Sequence, residues 1–202
     1  MSFDTLIIGG GAAGMSCALL LGSAYEKPYS RNKEVGIILH QKTSHLQNAL
    51  FNNVLGLAPG SKGMDLLKIG KEQLAQLYPS VVQIEKEKVK EVVFEKEGFK
   101  VITNKTVYKA LNVVIAVGYT NLMKIKGLES YIIPHKKSPI SKNRIQLINE
   151  DHLVAPGLYV AGSLAGHRSQ YAIACGSGTA VATDILTKWN GGEHTKVHDK
   201  LK

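Results

Sequence analysis

The sequence is poor in cysteine, in acidic residues and in long apolar runs. Only two cysteines occur in 202 residues, Cys17 and Cys175. They stand too far apart for a C-x-x-C redox pair and are too few for a cysteine-rich zinc site. Each reads first as a small buried apolar residue. No apolar run is long enough to span a bilayer, and there is no internal repeat or low-complexity tract. The first residues carry no basic leader, and the apolar stretch from Thr5 breaks at once into glycine. That pattern predicts a buried strand rather than a signal peptide, and hence a cytoplasmic protein. Sixteen acidic residues against 25 basic ones leave a formal charge of +9. The lysines are scattered and no aromatic-interleaved basic motif accompanies them. A lysine-rich solvated surface therefore accounts for the charge better than a nucleic-acid site, while an acidic electron-carrier partner stays open.

What is present is a regular alternation of short apolar strands and helices. Asp4 to Ile8 reads as a strand, Gly9 to Gly14 as a glycine turn, Ala12 to Leu21 as an apolar helix and Val35 to His40 as a second strand. This is one βαβ unit. Gly63 to Tyr78 has helical spacing and stops before Pro79. Val81 to Ile84, Val89 to Glu95 and Phe99 to Thr103 read as strands, the last two joined by a turn at Glu97-Gly98. Val113 to Val117 and Leu158 to Ala161 are further buried strands. A helix rich in small residues runs from about Gln170 to Trp189. The expected fold class is α/β: a Rossmann-like domain with a mostly parallel sheet and a small antiparallel β layer, over residues 1–189. Residues 123–155 read as irregular, and 190–202 as a loose tail.

Gly9, Gly11 and Gly14 satisfy G-x-G-x-x-G directly after a strand and at the opening of a helix. The first glycine permits the tight turn, the second lets backbone approach a phosphate, and the third lets helix pack on strand. The helix start offers unpaired N–H groups and positive dipole to a diphosphate. The context favours a dinucleotide site over a ligand-free glycine turn. One usual element is missing. The second strand ends Leu39-His40-Gln41, where such sites place an acidic residue for the ribose. His40 or Gln41 can hydrogen-bond there, and His40 can equally be a surface residue.

Three segments carry a resemblance. They are Asp4 to Gly14 (DTLIIGGGAAG), Ala110 to Gly118 (ALNVVIAVG) and Pro156 to Ala182 (PGLYVAGSLAGHRSQYAIACGSGTAVA). Gln47-Asn48 followed by Asn52 to Gly63 adds a weaker match. Together they resemble the thioredoxin reductase-like group of FAD-dependent pyridine-nucleotide–disulfide oxidoreductases. The resemblance implies FAD, with Gly9, Gly11, Ala12, Ala13 and Gly14 at the pyrophosphate and Val89 near the adenine. It implies Asn48 near the flavin and Ala116 and Gly118 at the strand that returns to it. Gly162 and Ser163 are implied at the ribitol, with Gln170, Tyr171 and Ala172 at the pyrimidine end. Ser163 stands where the family has Asp, and a hydroxyl binds a ribitol oxygen more weakly than a carboxylate does. A helix start near Gln170 also suits the negative charge that a flavin gains on reduction, a feature that a plain NAD site does not need. An ordinary core strand and small-residue helix is the competing reading of 158–182.

Family members of ordinary length carry a second dinucleotide domain between the latter two segments, with the redox C-x-x-C in thioredoxin reductases. Here 36 residues, 120–155, separate Tyr119 from Pro156. A Rossmann domain needs on the order of 100 residues, so the expectation is a short member without its own NAD(P)H site or dithiol. Three functions remain open. One is an oxidoreductase half whose FAD takes electrons from a partner protein, transient NAD(P)H or the substrate. The second is a non-catalytic FAD module that senses redox state or scaffolds a partner. The third is an NAD-binding domain. The resemblance also implies a homodimer. No catalytic acid, base, nucleophile or metal ligand is identified. His167, Arg168 and Tyr171 cluster before the last helix, either as flavin contacts or as an exposed loop. His135, Lys136 and Lys137 read first as solvated charge, and Cys175 as core packing.

Overall fold

A computed structural model describes residues 1–39, 41, 44–119 and 124–198. The strands are β1 Ser2–Ile8, β2 Val35–Leu39, β3 Leu50–Phe51, β4 Ser61–Lys62, β5 Val82–Glu85, β6 Val89–Phe94, β7 Phe99–Thr103, β8 Val107–Ile115, β9 Ile132–Pro134, β10 Ile145–Leu147, β11 Leu153–Ala155 and β12 Leu158–Val160. The α-helices are α1 Ala12–Ser23, α2 Gly63–Leu77 and α3 Tyr171–Trp189.

The main sheet runs β11-β12-β8-β1-β2-β5. β12, β8, β1, β2 and β5 are mutually parallel, and β11 closes one edge antiparallel. β8 is nine residues long and serves two neighbours along one edge. Its first half pairs antiparallel with β7, and Val113 to Ile115 pair parallel with β12. β6 then pairs with β7. The α/β class with a mostly parallel sheet and a small antiparallel layer is therefore what the chain adopts.

Successive side chains of a strand face opposite sides of a sheet. Ile7, Ile37, Val114 and Tyr159 face α1 and α3 in one core. Leu6, Ile8, Ile38, Val113, Ile115 and Val160 face the other way, onto Val92, Phe99, Leu128, Leu147 and Leu164. Burial on both faces explains why the central strands read as continuous apolar runs rather than as alternating ones.

α1 and α3 cross closely because their contact residues are small. A Cβ on Gly178 would collide with the backbone of Ala13, and one on Gly14 would collide with the carbonyl of Gly9. α1 is thereby pinned between β1 and α3. α2 is amphipathic, burying Leu67, Gly70 and Leu74.

Two expectations need correction. The segment expected to be irregular, 123–155, contains the β9–β10 pair and β11. These pieces are three residues long, too short to show periodicity, and they are held by Leu128 and Leu147, both fully buried. The expected loose tail is tied to the body at two points, though its other residues from 191 to 198 are exposed. Thr195 is buried, its hydroxyl lies 3.2 Å from that of Thr187, and Val197 rests against the α1–α3 core.

Candidate functional site

A cleft of about 550 Å³ opens at the C-terminal ends of β1, β8 and β12. That volume is within the range of small-ligand sites. From β1 the chain passes to β2 on one side, while β8 lies on the other, so the cleft sits where strand order reverses. Ligands of open α/β sheets bind at such a point. The ladder is tight to its end: Gly9 N–H donates to Ile38 O (3.1 Å), Ala116 N–H to Ile8 O (2.8 Å) and Ala161 N–H to Ile115 O (3.0 Å).

The glycine turn divides its labour as the motif predicts. Gly9 has φ +116°, and a Cβ there would overlap the carbonyl of Ala116. Gly14 is the close-packing position already described. Gly11 differs: among the described residues, the only atom near an added Cβ is Ser44 Oγ, at 3.6 Å. Its open side faces the cleft, leaving room for a ligand to approach backbone. Gly10 is a further constraint that motif reading does not assign, because a Cβ there would meet Leu39 Cδ2 at 2.5 Å.

Two helix starts meet in this cleft. Gly11 caps α1 through its backbone alone, and the first intrahelical bond is Met15 N–H to Gly11 O at 2.9 Å. Gln170 likewise caps α3, with Ala174 N–H to Gln170 O at 2.9 Å. The earlier N–H groups of each helix have no acceptor within it. Neither first turn carries an acidic residue. Both helix ends therefore present unneutralised positive dipole to the same space. The charged side chains lining it, among the described residues, are Lys88, Lys124 and Arg168, and no carboxylate joins them. The cleft is built for an anion with an apolar body.

Most residues singled out from sequence line it: Gly9, Gly11, Ala12, Ala13, Val89, Ala116, Gly118, Gly162, Ser163, Gln170 and Tyr171. Gly14 is buried behind the turn. Gln41 stands at its rim, donating from Nε2 to Gly10 O at 2.7 Å, and so steadies the turn itself. His40 lies outside the described residues. Asn48 and Ala172 are exposed and do not line the cleft. Asn48 ends a 3-10 turn, His45–Asn48, whose Leu46 and following Ala49 face inward instead. Ala172 contributes at most its backbone N–H.

Sequence reading missed Ser44, His45, Phe51 and Tyr119. Tyr119 is held by rings and charge: Arg144 lies 4.9 Å from its ring centroid, with His135 at 5.2 Å and His45 at 5.7 Å. Phe51 packs against Tyr171 at 5.0 Å. These residues sit on segments without periodicity, so nothing in the sequence joins them. The signal for Lys88 was its place beside Val89.

The Tyr171 phenol is pushed up to about 12, by burial first and then by the Cys175 thiol one turn along the helix. It remains an O–H donor at neutral pH. Cys17 is fully buried and its thiol is raised strongly by burial, so it is inert core. His135, read as solvated, is buried. Its Nε2 lies 3.1 Å from Ser163 O and 3.3 Å from His167 O, while Nδ1 accepts from Lys137 N–H at 3.1 Å. It ties the 132–147 segment to the cleft wall. Among the described residues, no group of three His, Cys, Asp or Glu could hold a metal ion, and no helix is long and apolar enough to cross a membrane.

Comparison with known proteins agrees with this geometry. Residues 3–178 match the family described as Pyridine nucleotide-disulphide oxidoreductase, and the chain belongs to that family. No curated protein is significantly similar in sequence. Solved structures share the fold. A thioredoxin reductase from Gloeobacter violaceus superposes with a TM-score of 0.75 at 12% identity, covering 100% of this chain and 99% of that one. An oxidoreductase from Agrobacterium tumefaciens gives 0.73 at 14% identity, covering 96% and 100%. A ferredoxin-flavin thioredoxin reductase from Clostridium acetobutylicum gives 0.68 at 17% identity, covering 94% and 99%.

Proposed function

We propose that this protein is a small FAD-dependent oxidoreductase of thioredoxin reductase-like type, working without its own NAD(P)H domain or redox dithiol. The observation that carries the reading is the pair of uncapped helix starts opening into one acid-free cleft. FAD fits it chemically: a diphosphate needs free N–H groups and positive dipole, and the isoalloxazine needs an apolar slot. When bound, FAD supplies hydride and electron transfer.

In this reading the chain's residues bind and orient. The N–H groups of Ala12 and Ala13 hold the pyrophosphate, and Gly11 clears its path. Val89 packs at the adenosine end, with Lys88 and Lys124 nearby to balance phosphate charge. Gly162 and Ser163 face the ribitol, where the Ser163 hydroxyl replaces a carboxylate. The start of α3, at Gln170 and Tyr171, lies against the pyrimidine end and offsets negative charge developing there. Tyr171, kept protonated, donates a hydrogen bond.

The electron donor is proposed to be a partner protein, with transient NAD(P)H as the other source. The excess positive charge favours an acidic carrier, and one structural neighbour is, by its own description, a ferredoxin-flavin enzyme. A cytoplasmic homodimer completes the reading, checked by light scattering and by fractionation. The direct test is an absorption spectrum of the purified protein, then anaerobic mixing with NADPH, NADH and a reduced acidic iron–sulfur carrier. A flavin spectrum bleached by one donor is expected. Bound FAD that no donor reduces would favour a non-catalytic module, and a protein that takes up no FAD would overturn the reading.

A further inference from the structure

Three of the seven histidines surround one loop, residues 162–167, which forms the cleft wall beneath Ser163. His135 reaches it from the 132–147 segment, as described. His152 reaches it from the turn before β11, and His167 belongs to it. His152 Nε2 lies 3.1 Å from His167 Nε2 and 2.9 Å from Ser177 Oγ on α3. Ser177 is buried, and its Oγ accepts the Gly162 N–H at 2.8 Å. One unbroken chain of contacts thus runs from a cleft-wall backbone amide through Ser177 to two imidazoles.

We propose that His152 and His167 are positioning residues that hold the Gly162–Ser163 wall in its ligand-ready place only while the pair is not doubly protonated. Two facing Nε2 atoms at this distance accommodate a single proton between them. With both rings protonated at Nε2, two N–H groups and two positive charges oppose each other at hydrogen-bond range. The rings then part, Ser177 loses a partner, and the amide that it anchors is released.

The surroundings set the sign. Burial pulls both histidines below their ordinary value, and for His167 the positive neighbours His152, Lys137 and His135 act the same way. Asp151 opposes this at His152, and Asp184 of α3 stands near Asp151. A histidine lowered on folding stabilises the fold fully above its unfolded value, about 6.5, and loses that contribution as pH falls through it toward the lowered value. The wall is therefore firm at neutral pH and loosens in mild acid. Asp151 and His152 adopt φ +41° and +74°, so the turn carrying His152 is held by its contacts rather than by local preference.

The ligand arm of the test rests on the FAD reading; the structural arm does not. Amide-exchange protection factors are measured over 158–166, without and with added FAD, from about pH 7.5 to pH 5, the range of histidine titration. Protection of this segment is expected to fall relative to β8, by up to about tenfold per pH unit where the closed and open states differ by one bound proton, with FAD affinity falling in parallel. His167→Gln and His152→Gln, which place a non-titrating amide near the Nε2 position, flatten both profiles. His194→Gln, at an exposed histidine, leaves them unchanged. An NMR titration of the wild-type imidazoles, which needs no variant, should give two coupled midpoints below the ordinary value. Protection independent of pH, profiles unaltered by both glutamine variants, or midpoints at or above the ordinary value would each overturn the proposal. If the exchange profile holds while FAD fails to bind, the histidine mechanism stands and the FAD reading falls. If FAD binds while protection ignores pH, the reverse is concluded.

Discussion

The two ends of the cleft are built by different means. The Gly9–Gly14 end is shaped by backbone sterics: glycines stand where a Cβ would overlap Ala116 or Gly9. The Gly162–Tyr171 end is shaped by side-chain hydrogen bonds from Ser177, His135 and the His152–His167 pair. The first is set by backbone geometry. The second is adjustable and responds to protons. Such a division suits a site that anchors an inert diphosphate at one end and hosts changing charge at the other.

Five substitutions test that contrast. The largest effect is expected from Gly178→Val, which forces α3 off the Ala13 backbone. Overpacking there should cost about 3 kcal/mol or more, read as a lowered urea midpoint. Leu164→Ala follows. Its side chain is fully buried under the adjustable wall, and truncation should cost about 2–5 kcal/mol. Ser177→Ala removes the acceptor of a buried amide and should cost about 1–3 kcal/mol while weakening FAD binding. At the glycine end, among the described residues, the side chain that hydrogen-bonds to the turn is that of Gln41, which donates to a carbonyl rather than anchoring a buried amide. Gln41→Ala should therefore change FAD affinity less than Ser177→Ala does, by isothermal titration. The smallest effect is a gain. Thr5 is fully buried with no partner for its hydroxyl among the described residues, so Thr5→Val should raise stability by about 1 kcal/mol.

The same contrast governs what a reader of the sequence could see. Gly9, Gly11 and Gly14 are legible because their constraint is local: a strand, a turn and a helix run consecutively from Ser2 to Ser23. The central strands are legible because burial on both faces writes an uninterrupted apolar run. The His152–His167 contact is not legible, since it depends on a left-handed turn at one residue and an irregular loop at the other. Asn48 was placed near the flavin by resemblance, yet the short 3-10 turn exposes it and aims Leu46 at the cleft. Val197 and Thr195 look like tail residues because nothing in their own neighbourhood reports the α1–α3 groove that receives them. Local backbone rules travel well from sequence to site. Meetings of distant polar side chains do not.

The central claim, that free helix-start amides beside Gly11 hold a flavin dinucleotide, is tested most directly by Gly11→Val. The position has φ −79° and an added Cβ there meets no clash among the described residues, so the variant should fold with a thermal midpoint lowered only by the loss of an N-cap glycine, about 1 kcal/mol. Equilibrium titration with FAD should then show one site per chain in the wild type and at least about a hundredfold weaker binding in the variant, as expected for a branched side chain occupying a phosphate position. Equal FAD affinity in the two proteins would contradict the account.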